Sequence, residues 1–156
     1  IGEVGELWAK GPNIMNGYLN LPKESSSVLS DGWLHTGDIA RIDNEGYVYL
    51  LDRVKDMVIT GGENVYSSEV ETALHQHPAV SEAAVIGVPD DKLGEALFAA
   101  IVLRDDMTVD DEELIEHCRP FIGGYKIPRK YVFVEALPKS ALGKPLKGEL
   151  RKTYGS

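Results

Sequence analysis

The sequence DRVKDMVITGGEN, residues 52–64, separates two parts of the chain that differ in their predicted secondary structure. Its β-branched centre predicts a strand over residues 54–60, and Gly61-Gly62 ends that strand. Alternation along a strand would place Arg53 and Lys55 on the same face. Upstream of this stretch the predicted elements are mostly strands, whereas downstream strands and helices are mixed. We therefore predict a domain boundary at the start of this stretch.

The first part of the chain is predicted to be rich in short strands. Between them, Asp43-Asn44-Glu45-Gly46 has the turn residues of a tight hairpin, with Gly46 able to adopt positive φ. This part looks too short to close a core of its own. We predict strands at 3–10, 13–18, 33–34, 38–42 and 46–51, and a short helix at 23–29.

The second part is predicted to be a small α+β domain with a short sheet flanked by helices. Ser68 to Glu71 has the pattern of a capping box, and residues 108–111 can cap a second helix. A final helix is predicted over 145–152, with Pro145 in its first turn. Strands are predicted at 83–88, 97–103 and 131–134. The inward face of the first helix is predicted to carry Val70, Ala73, Leu74 and His77, and that of the second Leu114, Ile115 and Cys118.

The composition is that of an ordinary soluble globular protein, with 43% apolar and 26% charged residues among 156. No apolar run approaches the roughly 20 residues that cross a bilayer, so no transmembrane segment is expected. Cys118 is the only cysteine, which excludes an intrachain disulfide and permits the cytoplasmic location that we expect.

The net charge of −9 is unevenly distributed along the chain. Residues 1–118 hold 7 Lys/Arg and 23 Asp/Glu, whereas residues 119–156 hold 9 Lys/Arg and 2 Asp/Glu. An acidic body repels nucleic acids and anionic membranes, which argues against both as partners. The basic end suits a compact polyanion such as a nucleotide or CoA, although it could also be a solvated surface.

Two segments of the first part are candidates for nucleotide binding. Asp38 follows a glycine turn, where a carboxylate could accept hydrogen bonds from the vicinal hydroxyls of a ribose or could simply cap the turn. Arg53 carries a planar fork of donors suited to phosphate or ribose oxygens, or it could protect a solvated edge strand.

Two further candidates lie in the second part. Gly61 and Gly62 would let a ligand approach the backbone closely, or would only make a turn. Lys144 lies between Gly143 and Pro145, where its ammonium could neutralise a phosphoryl group or could be an ordinary surface lysine. This segment is not a Walker A loop, because a proline follows the Gly-Lys pair.

A series of ordered motifs covers essentially the whole chain. They are Tyr18-Leu19-Asn20, His35-Thr36-Gly37-Asp38, Gly46-Tyr47-Val48-Tyr49, Asp52-Arg53-Val54-Lys55-Asp56, Gly61-Gly62-Glu63-Asn64-Val65-Tyr66, Val85-Ile86-Gly87-Val88-Pro89-Asp90, Gly124-Tyr125-Lys126-Ile127-Pro128, and Pro138-Lys139-Ser140 with Gly143-Lys144. In this order they resemble the C-terminal portion of the adenylate-forming superfamily. That superfamily includes acyl-CoA synthetases, peptide-synthetase adenylation domains and firefly luciferase.

The resemblance implies a division into three parts. Residues 1–51 would end a large N-terminal AMP-binding domain by completing part of a β-barrel, residues 52–56 would be a hinge, and residues 57–156 would be a small mobile C-terminal domain. The phosphate loop, the acid pocket and the magnesium motif of the family are expected upstream. The chain alone is then expected to be inactive and to bind no cofactor tightly. It is also expected to self-associate through apolar residues of the incomplete barrel: Leu7, Trp8, Ile14 and Val48.

The resemblance also implies a two-step reaction that uses ATP with Mg²⁺, a fatty or aromatic carboxylic acid, and CoA. In it, Asp38 would bind the ribose hydroxyls and Arg53 the nucleotide. Lys144 would bridge carboxylate and phosphate oxygens during adenylation, and Lys55 would be the pivot between the two steps. Gly61 and Gly62 would line the pantetheine channel, and no metal ligand is expected in this chain.

Two departures from the family pattern bear on these roles. Many relatives have Asp where this chain has Lys55, and most have Pro where it has Ser67, which we expect to begin a helix. Two other functions stay open. The chain could be a non-catalytic module that binds a nucleotide or a partner, or part of an adenylation enzyme that acts on another acceptor.

Overall fold

The computed structural model describes residues 1–155 and divides into two compact units, residues 1–55 and the residues from Asp56 onward. The division falls within 52–56, the stretch for which the resemblance predicts a hinge. A hinge motion there stays a prediction. Each unit has its own sheet, and each is described by itself below.

The first unit is an antiparallel sheet of four strands with one short helix. Its long strand β3 pairs with β1 along one edge and with β2 and β4 along the other. The elements are β1 (Val4–Ala9), α1 (Pro22–Val28), β2 (Leu29–Ser30), β3 (Trp33–Ile42) and β4 (Val48–Arg53). The hairpin turn between β3 and β4 is confirmed, with Gly46 at a φ of 87°.

This unit has very little core within itself. Among residues 1–55, only Ile39 and Ala40 are buried. Of the residues expected in an apolar patch, Trp8 and Val48 are each 48% exposed, while Leu7 and Ile14 are partly exposed.

The strand predicted at 13–18 is wrong: turns and one isolated bridge from Tyr18 to Leu21 replace it. The Gly11-Pro12 pair and Gly17 favour turns over a continuous ladder in this stretch.

The second unit is built around strand β8, which pairs antiparallel with β7 along nearly its whole length. The other edge of β8 pairs antiparallel with β5 at Gly94 and in parallel with β9 over residues 98–101. The elements are β5 (Val58–Thr60), β6 (Glu63–Val65), α2 (Ser67–His75), β7 (Val80–Asp90), β8 (Gly94–Leu103), α3 (Asp111–Cys118), β9 (Lys130–Phe133) and α4 (Lys147–Tyr154).

Both faces of this sheet are buried. Val85 and Leu97 face a cluster that includes Leu74 and Leu114 of helices α2 and α3. Neighbouring residues of β7 and β8 face the opposite cluster, which Leu150 of α4 completes. Burial on both faces explains why β7 and β8 appear as continuous apolar runs in the sequence. The predicted α+β fold class is therefore confirmed.

The ends of the helices are predicted correctly in some places and wrongly in others. Asp110 caps α3, accepting a hydrogen bond from the backbone N–H of Glu113 at 2.9 Å. Ser67 begins α2 as expected, so Ser68 lies inside the helix and the predicted capping box is wrong. Pro145 precedes α4, whose first residue is Lys147, and does not lie in its first turn.

The predicted strand at 54–60 is also wrong in its first half. Residues Val54–Asp56 form a 3₁₀ turn, and the strand itself covers only Val58–Thr60. Arg53 is the last residue of β4, whereas Lys55 lies in the 3₁₀ turn. The two side chains therefore do not share one face of a strand.

Candidate functional site

The first candidate site is formed by an interruption in the pairing of β1 with β3. Glu6 pairs with Ile39, but two residues later Trp8 pairs with His35. A single residue of β1, Leu7, therefore lies opposite three residues of β3, the segment 36–38. Such bulges redirect side chains and are common beside active sites. We call residues 36–38 the bulge.

Hydrogen bonds from side chains hold the bulge in place where the ladder is interrupted. Thr36 donates its hydroxyl to the carbonyl of Leu7 at 2.8 Å and accepts from the backbone N–H of Asp38 at 3.1 Å. The N–H of Gly37 donates to Oε1 of Glu6 at 3.1 Å. Gly37 has a φ of 71°, in the left-handed region that favours glycine.

Asp38 and Arg53 are brought together by the pairing of β3 with β4. They are direct partners in the ladder, and Nε of Arg53 lies 3.1 Å from Oδ1 of Asp38. Nη2 of Arg53 also donates to the carbonyl of Thr36 at 3.2 Å. The side chains are 51% (Arg53) and 35% (Asp38) exposed, so both can still meet a ligand. A groove of about 480 Å³ lies beside Arg53; Asp38 does not line it, and its lining includes Glu6, His35, Thr36 and Gly37.

Gly61 and Gly62 form the turn that joins β5 to β6 in the second unit. Both have positive φ, 59° and 87°, so the turn itself requires glycine or a strained residue. The N–H of Gly61 donates to the carbonyl of Leu93 at 3.0 Å, which fixes the turn against the start of β8. A Cβ atom built on Gly62 would meet nothing within 4 Å, so this backbone is open to an approaching group.

An open groove of about 590 Å³ lies beside Gly61. Its lining includes two guanidinium side chains, Arg119 and Arg129, and the ring of Tyr125. Neither Lys144 nor Gly62 lines this groove. Sequence reasoning missed the two arginines, because they lie 58 and 68 residues after Gly61 and only the tertiary fold brings them to it.

Lys144 lies in a closed turn between β9 and α4. The N–H of Ser140 donates to the carbonyl of Lys144 at 2.9 Å, and the N–H of Gly143 donates to the carbonyl of Ser140 at 2.9 Å. The N–H of Leu146 closes the loop by donating to Pro138 at 2.7 Å. The Lys144 side chain is exposed, so the turn presents its ammonium to solvent.

Two ion pairs hold the loop that carries Lys144, and no local pattern in the sequence predicts either of them. Before the turn, Nζ of Lys139 lies 2.7 Å from Oε2 of Glu82 on β7. After it, Nζ of Lys147 lies 2.6 Å from Oε1 of Glu71 and donates to the hydroxyl of Ser67 at 2.7 Å, both on α2. Lys147 is only 13% exposed, so this second contact is largely shielded from water.

Helix α4 is held at a second point, one turn beyond Lys147. Nη2 of Arg151 lies 3.1 Å from Oδ1 of Asp56, whose side chain is 13% exposed.

Among residues 1–155, no group of three or more His, Cys, Asp and Glu side chains is arranged to hold a metal ion. In the same residues, no helix has the length and apolar content needed to span a bilayer.

Comparison with known proteins shows which family the sequence of this chain resembles. Residues 69–144 match the model of the AMP-binding enzyme C-terminal domain. A feruloyl-CoA synthase from an Amycolatopsis species is 46% identical over 99% of this chain and 31% of its own length. A long-chain-fatty-acid–CoA ligase of Bacillus subtilis is 47% identical over 95% of this chain and 26% of its own length. The chain thus spans about a third or less of the curated relatives it matches.

Two solved structures are similar throughout the chain. An o-succinylbenzoate CoA synthetase of Bacillus subtilis, in complex with its acyl-adenylate intermediate, is 43% identical with a TM-score of 0.89. It covers 96% of this chain, which corresponds to 30% of that protein. The amide bond synthetase McbA of Marinactinospora thermotolerans is 42% identical with a TM-score of 0.88, over 98% of this chain and 32% of that protein.

Proposed function

Because this chain belongs to the AMP-binding enzymes and corresponds to their C-terminal portion, we propose that it serves in an ATP-dependent acyl-CoA synthetase. The observation that carries the proposal is the pair formed by Asp38 and Arg53 at the bulge. A carboxylate held beside a guanidinium, with both partly exposed, is suited to a ribose and its phosphate at once. The substrate we propose is a fatty or aromatic carboxylic acid, since relatives named for both kinds match nearly the whole chain.

The proposed reaction has two steps. First, a carboxylate oxygen attacks the α-phosphorus of ATP, so that acyl-AMP forms and pyrophosphate leaves. Then the thiol of CoA, losing its proton, attacks the acyl carbonyl, so that the thioester forms and AMP leaves. ATP, accompanied by Mg²⁺, and CoA are the proposed co-substrates, and we assign no step to a metal held by residues 1–155.

Each candidate residue has a role in this proposal. Asp38 accepts hydrogen bonds from the ribose hydroxyls, and Arg53 both orients Asp38 and contacts the nucleotide. Lys144 serves the first step, because only there must two anions approach each other. Gly61 and Gly62 leave a backbone path for the narrow pantetheine arm of CoA in the second step.

The groove beside Gly61 supports the proposal for the second step. CoA carries phosphates at the end far from its thiol, and guanidinium groups bind phosphates with paired hydrogen bonds. Arg119 and Arg129 line the same groove as Gly61, although Glu63 also lines it and Arg119 pairs with Glu116 at 2.8 Å. The open backbone of Gly62 adjoins this groove at Gly61. We infer that the pivot between the steps lies at Lys55 within the hinge 52–56, so that one domain serves both steps in turn.

Transfer of the acyl group to an acceptor other than CoA is a specific alternative, because the structural relative McbA is named an amide bond synthetase. The first step would be unchanged, and an amine would then attack the acyl-AMP in place of the CoA thiol. If the chain is instead a non-catalytic module that binds a nucleotide or a partner, neither step is expected. For both enzymatic alternatives we propose that catalysis needs residues upstream of this chain, and that the chain alone makes no acyl-CoA.

The experiment that tests the proposal uses the full-length protein that carries this chain. Pyrophosphate release is measured with ATP, Mg²⁺ and a panel of fatty and aromatic acids, and CoA or an amine is then added. Acid-dependent pyrophosphate release followed by thioester formation supports the synthetase, whereas amide formation without thioester supports the alternative. No acid-dependent pyrophosphate release with any acid would overturn both.

The role of Lys144 is tested in the same assay. Lys144→Ala is expected to slow pyrophosphate release on the order of 10²-fold, comparable to losing one preorganised electrostatic donor. The variant should still convert supplied acyl-AMP and CoA to thioester. Lys130→Ala, which removes an exposed lysine from β9, is the matched control and should leave both steps unchanged.

A further inference from the structure

The carboxylate of Glu6 is directed at the backbone of the bulge. Its Oε1 accepts the N–H of Gly37 at 3.1 Å, and its Oε2 accepts the indole N–H of Trp8 at 2.8 Å. Nδ1 of His35, whose ring stacks on Trp8 at 3.9 Å, lies 3.7 Å from the same Oε2. The side chain of Glu6 is 30% exposed, so these contacts are partly shielded from water.

A side-chain acceptor is needed here because the strand partner is not in register. Gly37 lies in the bulge, where β1 offers only Leu7, and the carbonyl of Leu7 is already taken by the hydroxyl of Thr36. The N–H of Gly37 donates to the carboxylate of Glu6 instead of to a backbone carbonyl of β1. A carboxylate makes a stronger hydrogen bond than a neutral acceptor, so Glu6 holds the peptide of Gly37 firmly.

The peptide that Glu6 holds determines where Asp38 points. Gly37 immediately precedes Asp38, and its φ of 71° sets the direction in which the next residue leaves the bulge. Arg53 holds the carboxylate of Asp38 from the β4 side, while Glu6 holds the preceding peptide from the β1 side. The two contacts constrain the side chain and the backbone of Asp38 from opposite edges of β3.

We propose that Glu6 is a positioning residue for the nucleotide: through Gly37 it fixes the direction in which Asp38 presents its carboxylate to the ribose hydroxyls. This inference rests on the proposed function, in which Asp38 binds those hydroxyls. Glu6 itself touches no substrate in this proposal. Its effect is confined to the part of ATP that Asp38 contacts.

The pairing of β1 with β3 does not depend on Glu6 alone. Gly5 pairs with Ala40 on one side of the bulge, and Ala9 pairs with Leu34 on the other. Loss of the carboxylate should therefore loosen the bulge without separating the strands. A purely structural residue would weaken every ligand equally, whereas a positioning residue should matter only when the ribose hydroxyls are present.

The test compares ATP with 2′,3′-dideoxy-ATP, which lacks both hydroxyls, in the full-length protein. The measured quantity is kcat/KM for acid-dependent pyrophosphate release, and the discrimination is the ratio of its values for the two nucleotides. Glu6→Ala is expected to lower kcat/KM about tenfold with ATP, the loss of one hydrogen bond to a charged group, and less than threefold with the dideoxy analogue. Glu6→Gln keeps one acceptor oxygen for Gly37 but loses the charge and the second acceptor, which Trp8 uses, so it should retain only part of the discrimination.

Two further variants keep the result interpretable. Glu6→Asp keeps the charge but is one methylene shorter, so it should lose discrimination even if Glu6→Ala does not fold. Glu3→Ala removes an exposed carboxylate from the same end of the chain and should leave discrimination unchanged. Equal losses with both nucleotides, or full discrimination in Glu6→Asp, would overturn the inference.

Asp38→Ala separates failure of this inference from failure of the proposed function. If Asp38→Ala still discriminates between ATP and the dideoxy analogue as the wild type does, Asp38 does not bind the hydroxyls and the proposed nucleotide role is wrong. If Asp38→Ala loses discrimination while Glu6→Ala keeps it, the nucleotide role stands and only the positioning role of Glu6 is overturned.

Discussion

Nε of Arg53 lies 3.1 Å from Oδ1 of Asp38, across two strands in which these residues are direct partners. The same guanidinium donates to the carbonyl of Thr36, so it binds both the carboxylate and the backbone of the bulge. An arginine that makes both contacts orients the carboxylate as well as balancing its charge. A lysine could balance the charge but has no planar fork with which to make both contacts.

We therefore expect Arg53→Lys and Arg53→Ala both to weaken ATP binding in the full-length protein. Each should raise the KM for ATP about ten- to a hundredfold, since hydrogen bonds to charged groups contribute about 1.5–3 kcal/mol. In combination with Asp38→Ala the losses should be less than additive, because the two residues act as one unit. Arg41→Ala is the control, since Arg41 lies on β3 and its guanidinium lies 5.2 Å from the ring of Tyr49. Additive losses would mean that Arg53 and Asp38 act separately.

Substitutions at Gly62 should separate the two proposed steps. Gly62→Ala and Gly62→Leu share the same backbone strain, because the φ of 87° disfavours any side chain. They differ in the space that they fill, and that space is open within the second unit. We expect Gly62→Leu to release pyrophosphate from acid and ATP, yet to convert supplied acyl-AMP and CoA much more slowly than Gly62→Ala. Equal rates of thioester formation in the two variants would contradict a channel at this turn.

Lys147 should stabilise the second unit more than an exposed lysine does. Lys147→Met keeps the apolar stem but leaves Glu71 without its ammonium partner, in a site where both side chains are at most 20% exposed. We expect the free energy of unfolding of the chain to fall by about 2 kcal/mol in urea titrations. Lys152→Met, in a pair whose lysine is 74% exposed, should change it by less than about 0.5 kcal/mol.

The same substitution should also affect the first reaction step if Lys147 holds the loop of Lys144 in place. In the full-length protein, Lys147→Met should slow pyrophosphate release, while the conversion of supplied acyl-AMP stays close to that of the wild type. Loss of both steps in proportion would indicate a general loss of folded enzyme, which the melting temperature would reveal.

Cys118 should be nearly inert in the folded chain. It is the last residue of α3 and is fully buried in the core, and that burial raises the pKa of its thiol to about 11. The reactive thiolate is therefore scarce at pH 8, and we expect a thiol reagent to react on the order of a hundredfold more slowly than with a free cysteine. The urea-unfolded chain provides the control and should react at the ordinary rate. Rapid reaction of the native chain would show that the α2–α3 layer opens readily.

The parts of this fold that were predicted from sequence are those fixed by neighbouring residues. The apolar runs of β7 and β8, the cap at Asp110 and the turn at Gly46 each depend on a few consecutive side chains. The 3₁₀ turn at Val54–Asp56 is different, because the same β-branched and charged residues also fit a strand. Arg151 holds Asp56 from 95 residues away, and no local pattern contains that contact.

Motifs in the sequence identify the candidate residues of the site. No motif predicts the contacts that support those residues. Asp38 and Arg53 stand out through the motifs that contain them, and the structure brings them into contact. The role of Glu6 depends on a shift in strand register, which two separate stretches of sequence do not reveal. Lys147 gave no signal either, since its partners Ser67 and Glu71 belong to a helix 80 and 76 residues earlier.

Helix α4 follows every other helix and strand of the second unit, including β9, which pairs in parallel with β8. This order has a consequence for how the unit folds during synthesis on the ribosome. The cluster that contains Leu137 and Leu150 cannot close until α4 has emerged, after every other element of that unit. The loop of Lys144 is held by Lys147 and so is fixed only at that late stage. A nascent chain halted before α4 would expose Ile86 and Phe98 to chaperones and proteases. Synthesis of α4 therefore allows both the loop of Lys144 to be fixed and this face of the sheet to be covered.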